Sequence, residues 1–206
     1  MKKSDLDGSN GYEAVANEFA AARGRSNIGA EIVRRWAQEL EPGSDILDLG
    51  CGNGRPISQM LTDSGFSVYG IDASPTMVSD FSKNFPKARV ACETVETSAF
   101  FGRTFDAAVA CGLFFLLREN AQRELIFRVS NALRSGGIFL FTSPSQAVSW
   151  TDILTGHRSI SLGAESYKAI LAEAGFSLIA EYDDEGGNHY YDAIDLKGLS
   201  NCISFD

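Results

Sequence analysis

From residue 45 onward the chain alternates between two hydrophobic rhythms. Short apolar runs predict strands over 45–49, 67–72, 88–92, 105–111, 137–143, 176–183 and 189–196. Between them, apolar residues recurring every three or four positions predict helices over 55–64, 75–84, 119–134 and 164–174. In the third of these, Leu125, Val129 and Leu133 repeat every four residues with Ile126 beside them, and Gly136-Gly137 follow as a glycine C-cap. Pro75 stands in the first turn of its helix, where its missing N–H costs least. Strand and helix alternating in this way predict a doubly wound α/β sheet.

Two regions fall outside that alternation. Residues 11–40 read as one helix through Arg23 and another from about Asn27, while 144–163 are too polar and irregular for a helix. In a doubly wound sheet, ligands bind outside the carboxyl ends of the strands. Insertions before the first strand and after the fifth are therefore expected to form a cap and a substrate wall. The chain then reads as one domain over 1–206. Its parts are a helical N-terminal cap (1–40), a cofactor-binding core (45–143), a substrate-wall segment (144–163) and a C-terminal helix with a strand hairpin (164–206).

The first predicted strand ends abruptly in glycines. Ile46, Leu47 and Leu49 are its apolar run, Asp48 sits near its end, and Gly50, Gly52 and Gly54 let the backbone turn tightly and a ligand come close. A second acid, Asp72, ends the next strand, at the position where a nucleotide fold offers a carboxylate to ribose hydroxyls. Together they point to a nucleoside cofactor. A dinucleotide fingerprint needs glycine where Arg55 stands, and an acid near the loop would repel a diphosphate.

The run Asp48-Leu49-Gly50-Cys51-Gly52-Asn53-Gly54 resembles the first motif of the class I S-adenosylmethionine-dependent methyltransferases, and Asp72-Ala73-Ser74 resembles their second. Leu133-Arg134-Ser135-Gly136-Gly137 is similar to a later step of that family, with Ser135 in place of proline. The resemblance implies a Rossmann-like, seven-stranded, mostly parallel sheet of order 3-2-1-4-5-7-6 with the last strand antiparallel, helices on both faces and an N-terminal helical lid. It implies S-adenosyl-L-methionine as cofactor and S-adenosyl-L-homocysteine as product. Gly50, Cys51 and Gly52 would then approach the methionine and ribose portions, with Asp48 balancing the ammonium or bracing the loop. Asp72, followed by Ala73, would take the ribose hydroxyls. Glu93, Thr94 and Val95 would flank adenine, and Ala110 and Cys111 would line the sulfonium. Tyr12 and Arg23, with Phe19, resemble a lid, Arg23 meeting the donor's carboxylate.

Methyl transfer from a sulfonium needs alignment more than covalent help, aided by a preorganised field. No nucleophilic triad is required, and no G-x-S-x-G occurs. Phe114 and Phe115 are expected to form an apolar wall, Phe115 standing where relatives often carry histidine. Trp150 and His157 suggest a flat or aromatic acceptor. His189, beside Tyr190, Tyr191 and the acids Asp183, Asp184 and Glu185, is the candidate general base, with Tyr190 at the substrate. No metal is expected. Two other readings stay open: an NAD(P)-dependent oxidoreductase, and a non-catalytic cofactor-binding subunit of a partner methyltransferase.

Composition narrows the partners. At 206 residues the chain can bury one sizeable core. Net charge is −9 with basic residues scattered, so the stripe that nucleic acids demand is missing and a small-molecule acceptor is expected. No run of 18 apolar residues predicts a membrane span, and residues 1–7 turn polar where a signal peptide needs an apolar core, so the expected location is cytoplasmic. Charge leaves the oligomeric state open. The four cysteines form no C-x-x-C pair and suit a reducing compartment. Cys51, Cys92 and Cys111 each end a predicted strand, which would gather them near the cofactor rim as candidate thiol ligands.

Overall fold

The central strands are apolar on both sides because helices cover both faces of the sheet. In the computed structural model, which describes residues 8–197, β1 (Asp45–Leu49), β2 (Ser67–Asp72), β3 (Arg89–Cys92), β4 (Phe105–Ala110) and β5 (Leu133–Thr142) run parallel, and β8 (Phe176–Asp183) and β9 (His189–Asp195) complete the sheet. Its order is β3-β2-β1-β4-β5-β9-β8, with β9 antiparallel to both neighbours. Counted within this sheet, that is the expected order.

Helices α1 (Ala16–Arg23), α2 (Ala30–Ala37), α3 (Ile57–Asp63), α4 (Pro75–Asn84), α5 (Glu119–Ala132) and α6 (Ala164–Glu173) complete the layers. One face of the sheet packs on α5 and α6 through Leu125, Ile126, Val129, Tyr167, Ile170 and Leu171, around Phe139 and Phe141. The other packs on α2, α3 and α4 through Ile32, Val33, Trp36, Ile57, Leu61 and Phe81, around Ile46 and Leu140. Ser74 caps α4, its Oγ accepting from Met77 N at 3.1 Å just before Pro75. Among the described residues no helix is long and apolar enough to cross a membrane.

Two local expectations are corrected. Helix α5 ends at Ala132, and Leu133 is already extended (φ −89°, ψ 148°), so Gly136-Gly137 do not cap it. They lie in a bulge instead: Phe105 pairs with Leu133 and Ala107 with Ile138. A methyl on Gly137 would stand 2.9 Å from the Arg134 carbonyl and 3.0 Å from that of Asp106, so the bulge needs glycine there. The second correction concerns 144–163, which hold an antiparallel hairpin of β6 (Ala147–Thr151) and β7 (Arg158–Leu162). Its alternation is inverted. Ser159 and Ser161 face inward while Val148 is exposed, so the usual apolar-inward rhythm is absent.

Candidate cofactor and active site

The loop leaving β1 is shaped by its neighbour strand. Gly50 and Gly52 take left-handed φ values of 70° and 55°, and the amides of Gly50 and Cys51 donate to the Ile71 carbonyl at 2.8 and 3.1 Å. At the end of β2, Asp72 Oδ2 accepts from Gly52 N and Oδ1 from Ser74 N, both at 2.8 Å. Burial pushes the Asp72 carboxyl up, its two amide donors pull it down, and the charge of Glu13 pushes it up again. A carboxylate so held still has lone pairs for a ligand. Below the loop, Asp48 is buried and accepts from the Ser58 hydroxyl of α3. Its carboxyl is pushed up to about 7, by burial foremost, against the Ser58 hydrogen bond and with the charge of Asp72 adding to it. Asp48 therefore ties the end of β1 to α3 and is not among the residues that line the cavity.

These loops open into a cavity of about 1020 Å³ at the carboxyl edge of the sheet. Of the residues expected at a cofactor, Gly50, Gly52, Asp72, Ala73, Glu93, Val95, Cys111, Tyr12 and Arg23 line it. Of those expected at a substrate, Phe115, His157 and Tyr190 do. Met77 lines it too, its sulfur 4.0 Å from where a Gly52 Cβ would stand. The Tyr190 hydroxyl donates to Asp184 Oδ2 at 3.0 Å, which fixes the ring against the β8–β9 turn.

A strap over residues 8–15 closes one side. A methyl on Gly8 would strike Thr94 Cγ2 at 2.3 Å, and one on Gly11 would meet His157 at 3.2 Å, so the strap lies tightly between the β3 loop and the hairpin. Glu13 ties it to the start of α4, accepting from Thr76 N at 3.2 Å, Thr76 Oγ1 at 2.7 Å and the Ser74 hydroxyl. Tyr12 ties it to the hairpin, its hydroxyl donating to Asp152 Oδ2 at 3.1 Å. Burial and the charge of Asp152 push the Tyr12 phenol up. Burial also pushes Asp152 up, but the amides of Thr155 and Leu154 and the Tyr12 hydroxyl outweigh it and hold its carboxyl low.

The remaining expected site residues lie elsewhere. His189 is not in the cavity wall: Nδ1 lies 2.8 Å from Asp183 Oδ1 and Nε2 3.1 Å from Glu181 Oε1, hydrogen-bond partners on the outer strands. Phe114 is fully buried against Phe141 and Tyr167, because its 3₁₀ turn, Phe114–Leu116, aims it into the core and its neighbour Phe115 outward. Trp150 supports Phe115 from behind, with ring centroids 5.4 Å apart. Ala110 is buried in β4, and Thr94 is engaged with Thr97. The cysteines do not converge. Cys51 is buried against Gly70, Cys92 is exposed, and only Cys111 lines the cavity. All three thiols are pushed up, by burial first and nearby carboxylates next, which works against thiolate chemistry. Cys202 lies outside the described residues.

Glu13 and Asp152, which hold the strap beside this site, escape a reading of the sequence. Each acts through partners far along the chain or inside an irregular turn, and no periodicity marks them.

Residues 46–137 match the methyltransferase-domain family. Over that span the chain carries a methyltransferase domain, in the fold of the class I S-adenosylmethionine-dependent methyltransferases. An uncharacterized methyltransferase of Synechocystis sp. is 26% identical over 158 residues, covering 72% of this chain and 74% of that one. The chain spans less of two further bacterial relatives, 45% and 64% of their lengths. A solved S-adenosylmethionine-dependent methyltransferase from Clostridium acetobutylicum shares the methyltransferase's fold with a TM-score of 0.70 at 17% identity, over 88% of this chain and 99% of that one. So does a Burkholderia thailandensis 1,6-didemethyltoxoflavin-N1-methyltransferase bound to 1,6-didemethyltoxoflavin and S-adenosylhomocysteine, with a TM-score of 0.71 at 16% identity over 91% and 84%. The cofactor is S-adenosylmethionine rather than a nicotinamide. The residues present fit it: the space over Gly112 is open and over Gly52 only the Met77 sulfur comes near, at 4.0 Å, so a ligand can lie against bare backbone there.

Proposed function

We propose that this methyltransferase moves a methyl group to an oxygen, nitrogen or sulfur atom of a small, flat, largely apolar acceptor. One observation carries the reading: past the glycine loop the cavity wall turns apolar and aromatic, through Phe19, Leu113, Phe115 and Leu116, with Tyr12 and His157 as its polar edges. Tyr12 and Phe19 meet edge to face at 5.0 Å, and Phe115 rests on Trp150. Such a slot suits a planar ring.

S-adenosylmethionine supplies a methyl carbon already activated by its sulfonium. The protein has then to hold, align and shield. Asp72 takes the ribose hydroxyls while fixing the Gly52 amide. Glu93 and the backbone around Val95 face the adenine edge, with Met77 against the base. Arg23 meets the cofactor carboxylate, and Cys111 and Gly112 flank the sulfonium. His157 contacts the acceptor and is the histidine able to take its proton.

The test is isothermal titration with S-adenosylmethionine and S-adenosylhomocysteine, followed by a measurement of S-adenosylhomocysteine formed with planar phenols, aromatic amines and aromatic thiols beside aliphatic counterparts. Turnover confined to planar acceptors, and lost in Phe115→Ala with cofactor affinity retained, is the expected result. Turnover of aliphatic or macromolecular acceptors alone overturns it.

A further inference from the structure

The loop that leaves β3 is held from behind. Glu93 N donates to the Asp72 carbonyl at 3.0 Å, and the amides of Thr97 and Ser98 both donate to the Thr94 carbonyl, at 3.2 and 3.0 Å. This turn presents Glu93, Val95 and Glu96 to the cavity. The carbonyls of Glu96 and Ser98 are both taken by one guanidinium, that of Arg128 on α5, Nη1 donating to the first and Nη2 to the second. Arg128 itself does not line the cavity.

Beyond the turn the backbone is strained. Phe100 and Phe101 have φ values of 47° and 58°, a region that bulky side chains avoid, and Gly102 continues at 62°. Such backbone persists only where its surroundings over-determine it. Phe100 is buried in the core, Phe101 packs on Tyr69 at 5.5 Å, and the Arg128 guanidinium lies 4.8 Å from the Phe100 ring centroid. Arg128 thus grips the cofactor-facing turn and the strained segment after it at once. A planar two-donor fork does this; a lysine ammonium at the same place is a single point charge.

We infer that Arg128 is a positioning residue for purine selectivity. By pinning the Glu96 and Ser98 carbonyls it sets where the Glu93 carboxylate and the Val95 amide stand, and so how sharply the enzyme tells a 6-amino purine from a 6-oxo purine. The inference rests on the proposed adenine contacts of 93–95.

The experiment titrates the full-length protein with S-adenosylhomocysteine and with S-inosylhomocysteine, in which a carbonyl replaces the amino group. The wild type is expected to prefer the adenine ligand about tenfold, because the acid accepts from an amine and is left unpaired by a carbonyl. Glu93→Gln tests the basis: it should erase most of that preference. In Arg128→Gln the preference should fall to within about threefold, with Arg128→Lys intermediate. A merely structural role weakens both ligands alike, so an unchanged ratio in folded Arg128→Gln and Arg128→Lys overturns the inference. A wild type that does not discriminate, or a Glu93→Gln that still does, overturns the adenine reading beneath it. Thermal unfolding of each variant confirms that folded protein is compared.

Discussion

Asp72 Oδ2 accepts the amide of Gly52, 20 residues earlier in the chain, at 2.8 Å. The acid that ends the second strand thereby shapes the glycine loop that ends the first. Its other oxygen holds Ser74 N at the same distance, so a single carboxylate organises both loops at the cavity rim.

Asp72→Ala should therefore weaken S-adenosylhomocysteine by about 100-fold or more, since it removes ligand contacts and loosens the loop that makes the others. Calorimetry measures the affinity directly. In parallel, the rise in thermal midpoint that saturating ligand gives the wild type should vanish. Wild-type affinity in the variant would remove Asp72 from the site.

Asp48 makes stability depend on pH. Its carboxyl rises from 3.8 to about 7 in the folded protein, through burial first, so the folded state keeps a proton that the unfolded chain has already released. Stability from this group therefore falls as pH climbs from about 4 to 7 and is level above, by on the order of 4 kcal/mol. Asp48→Asn lacks that decline and can still accept from Ser58. Its thermal midpoint, compared with wild type, should be more favourable at pH 8 than at pH 5. Parallel profiles across that range would show that Asp48 ionises as freely folded as unfolded.

Gly54 tolerates no side chain. Its φ is 85°, and a methyl there would lie 2.3 Å from Phe85 Cε2 and 3.0 Å from Phe81 Cδ2, rings packed under the loop. Gly54→Ala should cost roughly 3 kcal/mol through overpacking added to backbone strain. Urea unfolding checks it, and a loss below about 1 kcal/mol would mean that the rings yield freely.

The strap should loosen before the fold does. Tyr12→Phe removes the hydroxyl that reaches Asp152 and leaves the ring against Phe19. Amide exchange over 8–15 should speed up and S-adenosylhomocysteine should leave several-fold faster, while global stability changes by about 1 kcal/mol or less. Unchanged exchange in the strap would show that its other contacts, those of Glu13 with Ser74 and Thr76 among them, hold it without the Tyr12 hydroxyl.

Much of the core is legible in the sequence. The predicted spans 45–49, 67–72, 75–84 and 176–183 coincide with β1, β2, α4 and β8, because each is a strongly periodic segment bounded by glycine, proline or a capping serine. Where the signal was tertiary, the reading slipped. Gly136-Gly137 look like a helix cap by local rule, but the helix is already over at Ala132, and only pairing with β4 explains glycine there. The hairpin of β6 and β7 hides behind inward serines. Phe114 and Phe115 are indistinguishable in sequence, yet one is core and the other cavity wall.

The sequence by itself determined the strand-turn-acid unit, which rests on short-range periodicity and glycine spacing between Asp45 and Asp72, and its resemblance to the class I methyltransferases implied the sheet order and the cofactor. Tertiary structure alone decided which histidine lines the cavity. His157 reaches the wall because the hairpin folds over the strap, and His189 is drawn away by Glu181 and Asp183. It also decided that Glu13 and Asp152 tie down the strap beside the cavity and that Arg128 grips the turn after β3. Their hydrogen bonds span separations of 61 and 63 (Glu13), 140 (Asp152 with Tyr12) and 30 and 32 residues (Arg128). Contacts at that range depend on how whole elements pack, which no local pattern of residues encodes.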